Sequence, residues 1–165
     1  MLTEKTACVP TQAVFFLKTR CRILLKLVFL TKAFYDRYKH CPEIEQKENR
    51  PYARIEVELD GVTWAIPLRS HIKHNHAIWT DKENSCGIDL SKAVVIEKPK
   101  KYISCEQPYI RDNEFRVLKR IDEYRVAKRL QGYIDEYKKA KQNQNIPRNR
   151  TLVKYSTLQY FEKYL

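Results

Sequence analysis

The sequence predicts an α+β fold, in which an antiparallel sheet is followed by a long helix. Two segments carry most of this prediction. Apolar and polar residues alternate along 52–59, as in a half-buried strand, and Asp60-Gly61 separates this run from a second β-rich run at 62–69. Between Asp112 and Lys141, apolar residues recur at helical spacing with lysines and arginines between them, which is typical of one long amphipathic helix or two consecutive ones.

Composition and charge limit the class of protein. A chain of 165 residues, 43% of them apolar, has the size and composition of one globular domain. The 32 lysines and arginines outnumber the 20 acidic residues, and the formal charge of +12 favours a polyanionic partner. Five cysteines without a C-x-x-C pair favour reduced thiols, so the expected location is cytoplasmic. Cations interrupt the apolar run 13–30, so neither a membrane span nor a secretory signal is predicted.

Weaker signals predict the remaining elements. Residues 26–30 form a short apolar run typical of a strand, and Thr31 is a suitable N-cap for a helix over 32–39. Gly132 is the expected break in the long helix. The other expected elements are a polar loop at 43–50, a long polar loop at 71–87, a strand at 93–97, an extended piece at 102–103, a linker at 142–150 and a last helix at 151–165, with Leu152, Leu158 and Phe161 facing inward.

The Asp60-Gly61 turn also sets the expected register of the hairpin. A two-residue turn there places Ile55 opposite Ile66 and collects the apolar side chains on one face. On the polar face, the same register pairs Arg54 with Pro67, Tyr52 with Arg69 and Arg50 with His71. The open end of the hairpin is therefore expected to gather three arginines, a tyrosine and a histidine.

A cluster of histidines follows the hairpin: His71, His74 and His76 lie beside Arg69, Ser70 and Lys73. Three interpretations are open. A metal site would need further ligands, and no Cys, Asp or Glu falls between Arg69 and Thr80. A merely solvated basic loop is the second interpretation. The third is metal-independent RNA cleavage, in which histidine and lysine transfer protons while arginine and lysine balance the charge that grows on the phosphate.

Other catalytic signatures are missing from the sequence. With three glycines in the chain there is no glycine-rich phosphate loop and no G-x-S-x-G motif, so kinase, NTPase and serine hydrolase activities are not predicted. Eleven tyrosines, two tryptophans and six phenylalanines offer ring faces on which bases can stack. This aromatic content narrows the choice of polyanion slightly towards nucleic acid, and the alternative is that most of these rings simply belong to the core.

Four motifs resemble those of a known family. They are Asn49-Arg-Pro-Tyr52, Glu58-Leu-Asp-Gly61, Trp64-Ala-Ile-Pro-Leu-Arg-Ser-His-Ile-Lys-His74 and Gly87-Ile-Asp-Leu-Ser-Lys-Ala-Val-Val-Ile96. Over residues 25–165 the chain resembles the endoribonuclease toxins of type III toxin-antitoxin systems, and most of all their CptN and TenpN branches.

That resemblance implies a fold, an activity and partners. The implied fold is a strongly twisted antiparallel sheet, partly barrel-like, packed with helices. The implied activity is sequence-preferring, metal-independent RNA cleavage to 2′,3′-cyclic phosphate and 5′-OH ends, with no cofactor and no membrane. The implied partners are the RNA substrate and a repeated pseudoknot RNA antitoxin, which occupies the same groove in a closed protein-RNA assembly. A non-catalytic RNA-binding module and a metal-dependent nuclease are the alternatives.

Aligned through the hairpin, the resemblance also implies site residues. Arg50, Arg69 and Ser70 fall on active-site positions of the family, and Lys73 lies within one residue of another. The general base stays open between His71, Ser70 and a neighbour, with His74 or His76 as a second proton-transfer candidate. The expected catalytic set is Arg50, Arg69, Ser70, His71, Lys73 and His74. The expected RNA contacts are Lys32, Tyr35, Arg37, Tyr52, Arg54, His76, Arg120 and Lys128.

The first part of the chain, residues 1–24, has no counterpart in the family. Similarity to the family begins at Leu25. We expect residues 1–24 to be an N-terminal extension, either disordered or a start-site artefact, and residues 25–165 to form a single toxin domain.

Overall fold

The computed structural model describes residues 25–47, 50–56 and 62–165. The expected N-terminal extension and the Asp60-Gly61 turn lie outside these residues. The predicted α+β class is confirmed. In chain order the elements are β1 (Lys26–Val28), α1 (Lys32–Arg37), β2 (Tyr52–Glu56), β3 (Thr63–Arg69), β4 (Ala77–Asp81), β5 (Cys86–Asp89), β6 (Val94–Val95), α2 (Pro99–Tyr102), α3 (Asp112–Leu118), α4 (Glu123–Gln142) and α5 (Pro147–Tyr155). Short 3-10 helices cover Leu90–Lys92, Thr157–Tyr160 and Glu162–Tyr164.

The sheet is antiparallel and open. Its strand order is β1-β2-β3-β5-β4, and β6 pairs with the first part of β3. In the part of the chain that the structure describes, β1 and β4 form the two ends of this order and do not pair with each other. The sheet therefore does not close into the partial barrel that the family resemblance implies. β3 lies at its centre and ends at Arg69, where the loop 70–76, which we call the histidine loop, begins.

The register of the hairpin differs from the predicted one by two residues. Ile55 pairs with Trp64 and Tyr52 with Pro67, instead of with Ile66 and Arg69. A shift of two leaves every side chain on the same face of the sheet, so the apolar pattern is equally satisfied by both registers. Continuing the observed register places Arg50 beside Arg69 rather than opposite His71, and the Leu68 N–H donates to the Pro51 carbonyl at 2.9 Å.

The prediction of one long polar loop at 71–87 is wrong. This segment contains β4 and the start of β5, and the two strands form a hairpin. A tight polar turn joins the two strands, in which the Asp81 carboxylate accepts hydrogen bonds from the backbone and side-chain amides of Asn84. Gly87 allows the strands to approach closely. A Cβ at this position would lie 2.5 Å from the carbonyl oxygen of Ile78, so a larger residue would force β4 and β5 apart.

The helical segment 112–141 divides at 119–122 and not at Gly132. Asp122 begins α4, and its carboxylate accepts the Arg125 backbone N–H at 2.7 Å, which satisfies one of the free donors at the start of the helix. Gly132 lies inside α4. The cost of a glycine in a helix, about 1 kcal/mol, is offset there because Leu130 and Ile134 on either side are buried against the core.

One continuous cluster of buried side chains joins the sheet to α4 and to the C-terminal segment. Full burial of a large apolar residue such as Trp64 or Leu130 contributes about 2–3 kcal/mol each. Leu158 and Phe161 are buried as predicted, and Leu152 is half-buried. The buried Thr157 hydroxyl donates to the Ala93 carbonyl at 2.5 Å. These contacts hold the C-terminal segment against the sheet and so place α5 next to the histidine loop.

The smaller elements agree with the predictions in part. The first strand and helix are present, although both are shorter than predicted. The strand predicted at 93–97 is reduced to Val94–Val95, and Tyr102 ends a short helix while Ile103 bridges Leu30. The predicted linker 142–150 overlaps α5, which begins at Pro147. In the described ranges, no helix is both long and apolar enough to cross a membrane.

Candidate active site

The loop between β3 and β4, residues 70–76, is shaped by a change of backbone direction at His71. His71 has a φ of 59°, in the left-handed region that costs a non-glycine residue about 1 kcal/mol or more. The next residue, Ile72, is buried and its N–H donates to the Ser85 carbonyl at 3.0 Å. Anchoring Ile72 in this way leaves His71 and Lys73 exposed on either side of it.

Asp89, at the end of β5, is the buried centre of the site and is 0% exposed. Its carboxylate accepts hydrogen bonds from the Arg69 guanidinium at 2.6 Å and from the Ser91 hydroxyl at 2.7 Å. His74 Nε2 lies 3.5 Å from the same carboxylate. Burial alone would raise the pKa of Asp89, but the contacts from His74, Ser91 and Arg69 outweigh it, and the pKa lies below its ordinary value. Asp89 is therefore a buried anion that orients three side chains.

Arg50 and Arg69 are joined by Glu45, which contacts both guanidinium groups. Arg50 also donates to the Leu68 carbonyl at 3.1 Å. Burial raises the pKa of Glu45, but the two arginines hold it below its ordinary value. Both arginines were predicted as cations on the scissile phosphate. The structure instead pairs their charges with Glu45 and Asp89, so they stiffen the start of the loop and contribute little free positive charge.

His74 is held between Asp89 and the site surface. Its Nε2 lies 3.2 Å from the Ser91 hydroxyl, and its Nδ1 is buried without a hydrogen-bond partner among the described residues. A carboxylate and a hydroxyl on one ring nitrogen fix the orientation of an imidazole. The His74 ring lies 5.7 Å from the His76 ring, centroid to centroid. His74 thus supports its neighbour as well as lining the site.

His76 is half-buried against α4. Its ring lies 5.0 Å from the Tyr133 ring, and its Nδ1 lies 3.6 Å from a carboxylate oxygen of Glu136. Burial lowers the pKa of His76 below the ordinary histidine value; His74 and Arg148 act in the same direction, while Glu136 opposes them. The lowered pKa favours the neutral imidazole, which is the form that can accept a proton.

These groups surround a cavity of about 510 Å³, which we call the histidine cavity. No Asp or Glu contributes to its lining among the described residues, whereas cations and histidines dominate it. Tyr133 and Tyr155 form aromatic walls, and the Lys92 ammonium donates to the Tyr155 carbonyl at 2.8 Å. Burial lowers the pKa of Lys92. The lining consists of Arg69, His71, Ile72, Lys73, His74, His76, Ser91, Lys92, Tyr133, Arg148, Thr151, Leu152 and Tyr155.

Known proteins do not assign a function to this cavity. No family model, curated protein or solved structure matches the chain. Within residues 25–47, 50–56 and 62–165 there is also no group of three or more His, Cys, Asp or Glu side chains that could hold a metal ion. The side chains themselves offer a neutral imidazole, an exposed imidazole and several cations around a space large enough for a nucleotide. Such a set can transfer protons and bind a phosphate.

The predicted catalytic residues are only partly brought together. Arg69, His71, Lys73, His74 and His76 line the histidine cavity, whereas Arg50 and Ser70 line a neighbouring one. The prediction missed the residues that other segments contribute, namely Asp89, Ser91, Lys92, Tyr133, Arg148 and Tyr155. Asp89 carried a usable signal, because an Asp directly after a strand, with a Ser two residues later, is typical of a side chain that caps a short helical turn.

Most of the predicted RNA contacts do not line the histidine cavity. Tyr35 and Tyr52 are 3% and 2% exposed, so these predictions are wrong: both rings belong to the core. Arg54 pairs with Lys26 and Ala65 through its backbone, and its side chain is outside what the structure describes. Of the other five, His76 lines the histidine cavity. Four are exposed cations that do not line it: Lys32 and Arg37 on α1, Arg120 after α3 and Lys128 on α4.

Proposed function

We propose that this chain is an endoribonuclease that cuts RNA in the histidine cavity without a metal ion. The 2′-OH of one nucleotide would attack the neighbouring phosphorus, the O5′ of the next nucleotide would leave, and the products would be a 2′,3′-cyclic phosphate and a 5′-OH. The observation that carries this proposal is the convergence of three histidines with Lys73, Lys92 and Arg148 on one cavity, where burial lowers the pKa of His76. Those are the groups that this reaction requires.

His76 is the proposed general base. Its Nδ1 faces the Glu136 carboxylate at 3.6 Å, which favours the tautomer that carries the proton on Nδ1. Nε2 is then the nitrogen with a free lone pair, available to accept the proton of the 2′-OH. Its lowered pKa keeps this lone pair available at neutral pH.

His71 is the proposed general acid. It is exposed at the rim of the same cavity, where it can exchange protons with water and would donate one to the leaving O5′. Lys73 lies beside it, and Lys92 and Arg148 line the same space. These three cations would balance the charge on the phosphate, and Lys92 and Arg148 would replace Arg50 and Arg69, whose charges are already paired. The exposed ring of Tyr155 would stack against a base.

The products of RNA cleavage test this proposal. We expect the purified chain to cut RNA in the presence of EDTA, and a single 2′-deoxy substitution at the cut nucleotide to abolish cutting there, because the attacking group is removed. End-group analysis should find cyclic phosphate on the 5′ fragment. Binding of RNA without any cutting would instead support a non-catalytic RNA-binding module, and activity that EDTA abolishes would support a metal-dependent nuclease.

The pH dependence of cleavage tests the role of His76. Because the base must be unprotonated, the rate should rise with pH as His76 loses its proton, with a midpoint below the ordinary value of about 6.5. Glu136 raises the pKa of His76, so Glu136→Gln should move this midpoint to lower pH. Asp135→Asn changes the adjacent, exposed carboxylate on α4 and should leave the midpoint in place. A shift of the Glu136→Gln midpoint to higher pH would rule out His76 as the base.

The proposed biological setting is a type III toxin-antitoxin system. Its support is the resemblance of the motifs around 49–74 and 87–96 to that family, together with the net charge of +12. In this setting a repeated pseudoknot RNA would occupy the histidine cavity in a closed assembly and block substrate, and the enzyme would act in the cytoplasm. Co-expression of the cognate RNA should then relieve the growth arrest that the protein alone causes.

A further inference from the structure

A second cavity lies directly beside the histidine cavity. Its volume is about 550 Å³, and Arg69 lines both spaces. Ser70 lines the second cavity and the next residue, His71, lines the first, so the backbone at this point separates the two. Because Arg69 lines both cavities and Ser70 and His71 are consecutive, an RNA strand with its scissile phosphate at His71 can place its neighbouring nucleotide in the second cavity.

The charge of the second cavity suits a phosphate. Four cationic side chains, Lys47, Arg50, Arg69 and Arg111, line it against one carboxylate, Glu114. Arg50 and Arg69 are committed to Glu45 and Asp89, which leaves Lys47 and Arg111 as the ligand-facing cations. Their side chains are 67% and 59% exposed. Lys47 lies 3.5 Å from Glu45, and the Arg111 Nε donates to Glu114 at 2.9 Å, but both cationic side chains are mostly exposed, so each can contact a phosphate while it keeps its carboxylate.

Tyr109 supplies an aromatic face at the same cavity. Its side chain is 85% exposed, although its neighbour Ile110 packs against the core and so fixes the segment. A tyrosine ring that is held in water at the edge of a basic cavity loses apolar burial, and stacking on a nucleobase restores it. The Arg111 guanidinium, held by Glu114 at 2.9 Å and by Cys86 Sγ at 3.4 Å, lies two residues further along.

We propose that this second cavity binds the nucleotide adjacent to the cleavage site, with Tyr109 stacking on its base and Lys47 and Arg111 contacting its phosphate. The assignment rests on the proposed nuclease function, since it places one RNA strand across both cavities. Through it the enzyme recognises at least two consecutive nucleotides. Stacking distinguishes single-stranded RNA from a duplex, in which the bases already stack on each other, so the substrate is unpaired at this point.

Binding and cleavage measured on the same variants test this proposal. The probe is a labelled single-stranded RNA of ten nucleotides, 2′-O-methylated at the cut position so that it binds without being cleaved. Tyr109→Ala should weaken its binding about tenfold, because stacking on one aromatic ring is lost, while Tyr109→Phe should bind as the wild type does. Lys47→Gln should weaken binding and reduce its salt dependence. Tyr124→Ala, at another exposed tyrosine on α4, is the matched control.

The outcomes separate this proposal from the nuclease itself. If Tyr109→Ala binds the RNA probe as tightly as Tyr124→Ala does, and RNA is still cut, the second subsite is overturned and the nuclease proposal stands. Binding that depends on Tyr109 without any cleavage by the wild type would overturn the nuclease and support a single-strand RNA-binding site. Displacement of the RNA by an acidic peptide at equal charge concentration would overturn the choice of a nucleotide as ligand. If Tyr109→Ala still cleaves RNA, with a tenfold higher KM and an unchanged kcat, the result supports both the nuclease and the second subsite.

Discussion

Replacing His76 with alanine is expected to lower the rate of RNA cleavage by about 10²–10⁴-fold, the range that general acid-base catalysis contributes. The loss follows from the position of the imidazole, which is half-buried, has a lowered pKa and has its Nδ1 3.6 Å from Glu136, so that Nε2 is available to accept a proton. Alanine offers no group that accepts a proton. The measurement is the single-turnover rate on a short RNA at saturating enzyme, so that changes in substrate affinity do not contribute.

His40→Ala is the matched control, because His40 is exposed in the turn that follows α1 and lines neither cavity described above. Its cleavage rate should equal that of the wild type. Partial rescue of His76→Ala by free imidazole would separate a chemical role from a packing role, since only the former is restored by a diffusible base. If His76→Ala unfolds at the same temperature as the wild type and keeps its cleavage rate within threefold, His76 is not the base. His71 is then the first alternative.

Replacing Asp89 with asparagine is expected to lower the free energy of unfolding by about 3 kcal/mol. Removal of one partner from a buried ion pair typically costs about 3–5 kcal/mol, and the lower end applies here because Arg69 is 22% exposed and keeps Glu45 as a second partner. Asparagine has the same shape, so no void is created. Its amide, however, presents a donor where Arg69 or Ser91 also donates. Urea denaturation followed by circular dichroism measures the loss.

The free energy of unfolding at acidic pH is a second measurement of the role of Asp89. Its folded pKa is lowered, so its contribution is present above the unfolded value of about 4 and is lost as pH falls through the lower folded value. Asp89→Asn should lack this component. Asp135→Asn, at an exposed carboxylate, should change stability by less than about 0.5 kcal/mol. Adding Arg69→Met to Asp89→Asn should recover part of the loss, and a double variant as unstable as the sum of the single ones would contradict the ion pair.

The candidate site could be predicted from the sequence in its location but not in its chemistry. Local clustering was enough to select the loop 70–76 as the candidate, because the histidines and cations of residues 69–76 are too close along the chain to lie in distant parts of any fold. The roles of the individual residues depended on partners far along the chain. Arg69 meets Asp89 and Glu45, and His76 meets Glu136 on α4, none of which local spacing relates to the loop. The pKa of His76 follows from these distant contacts.

The fold was predictable where a periodicity of two or 3.6 residues was strong, which is why β2, β3 and α4 agree in type. The register was not, because a shift of two residues preserves the alternation and changes only which residues are opposite each other. The hairpin of β4 and β5 was hidden among polar residues, since Gly87 and the Asp81 turn carry its signal without apolar alternation. Tyr35 and Tyr52 were predicted to contact RNA, although both are buried. The apolar ring and polar hydroxyl of tyrosine suit a core and a surface equally, so the residue type alone does not distinguish the two.

The sequence alone determined the α+β class, the basic character of the chain and the place where its histidines cluster, since all three depend on composition and on neighbours within a few residues. Tertiary structure decided which cations are already paired, which histidine is neutral and which aromatic rings face a cavity. Those properties depend on burial and on charges brought together from β5, α4 and α5. Electrostatic interactions act through space, and separation along the chain does not reveal which groups will meet.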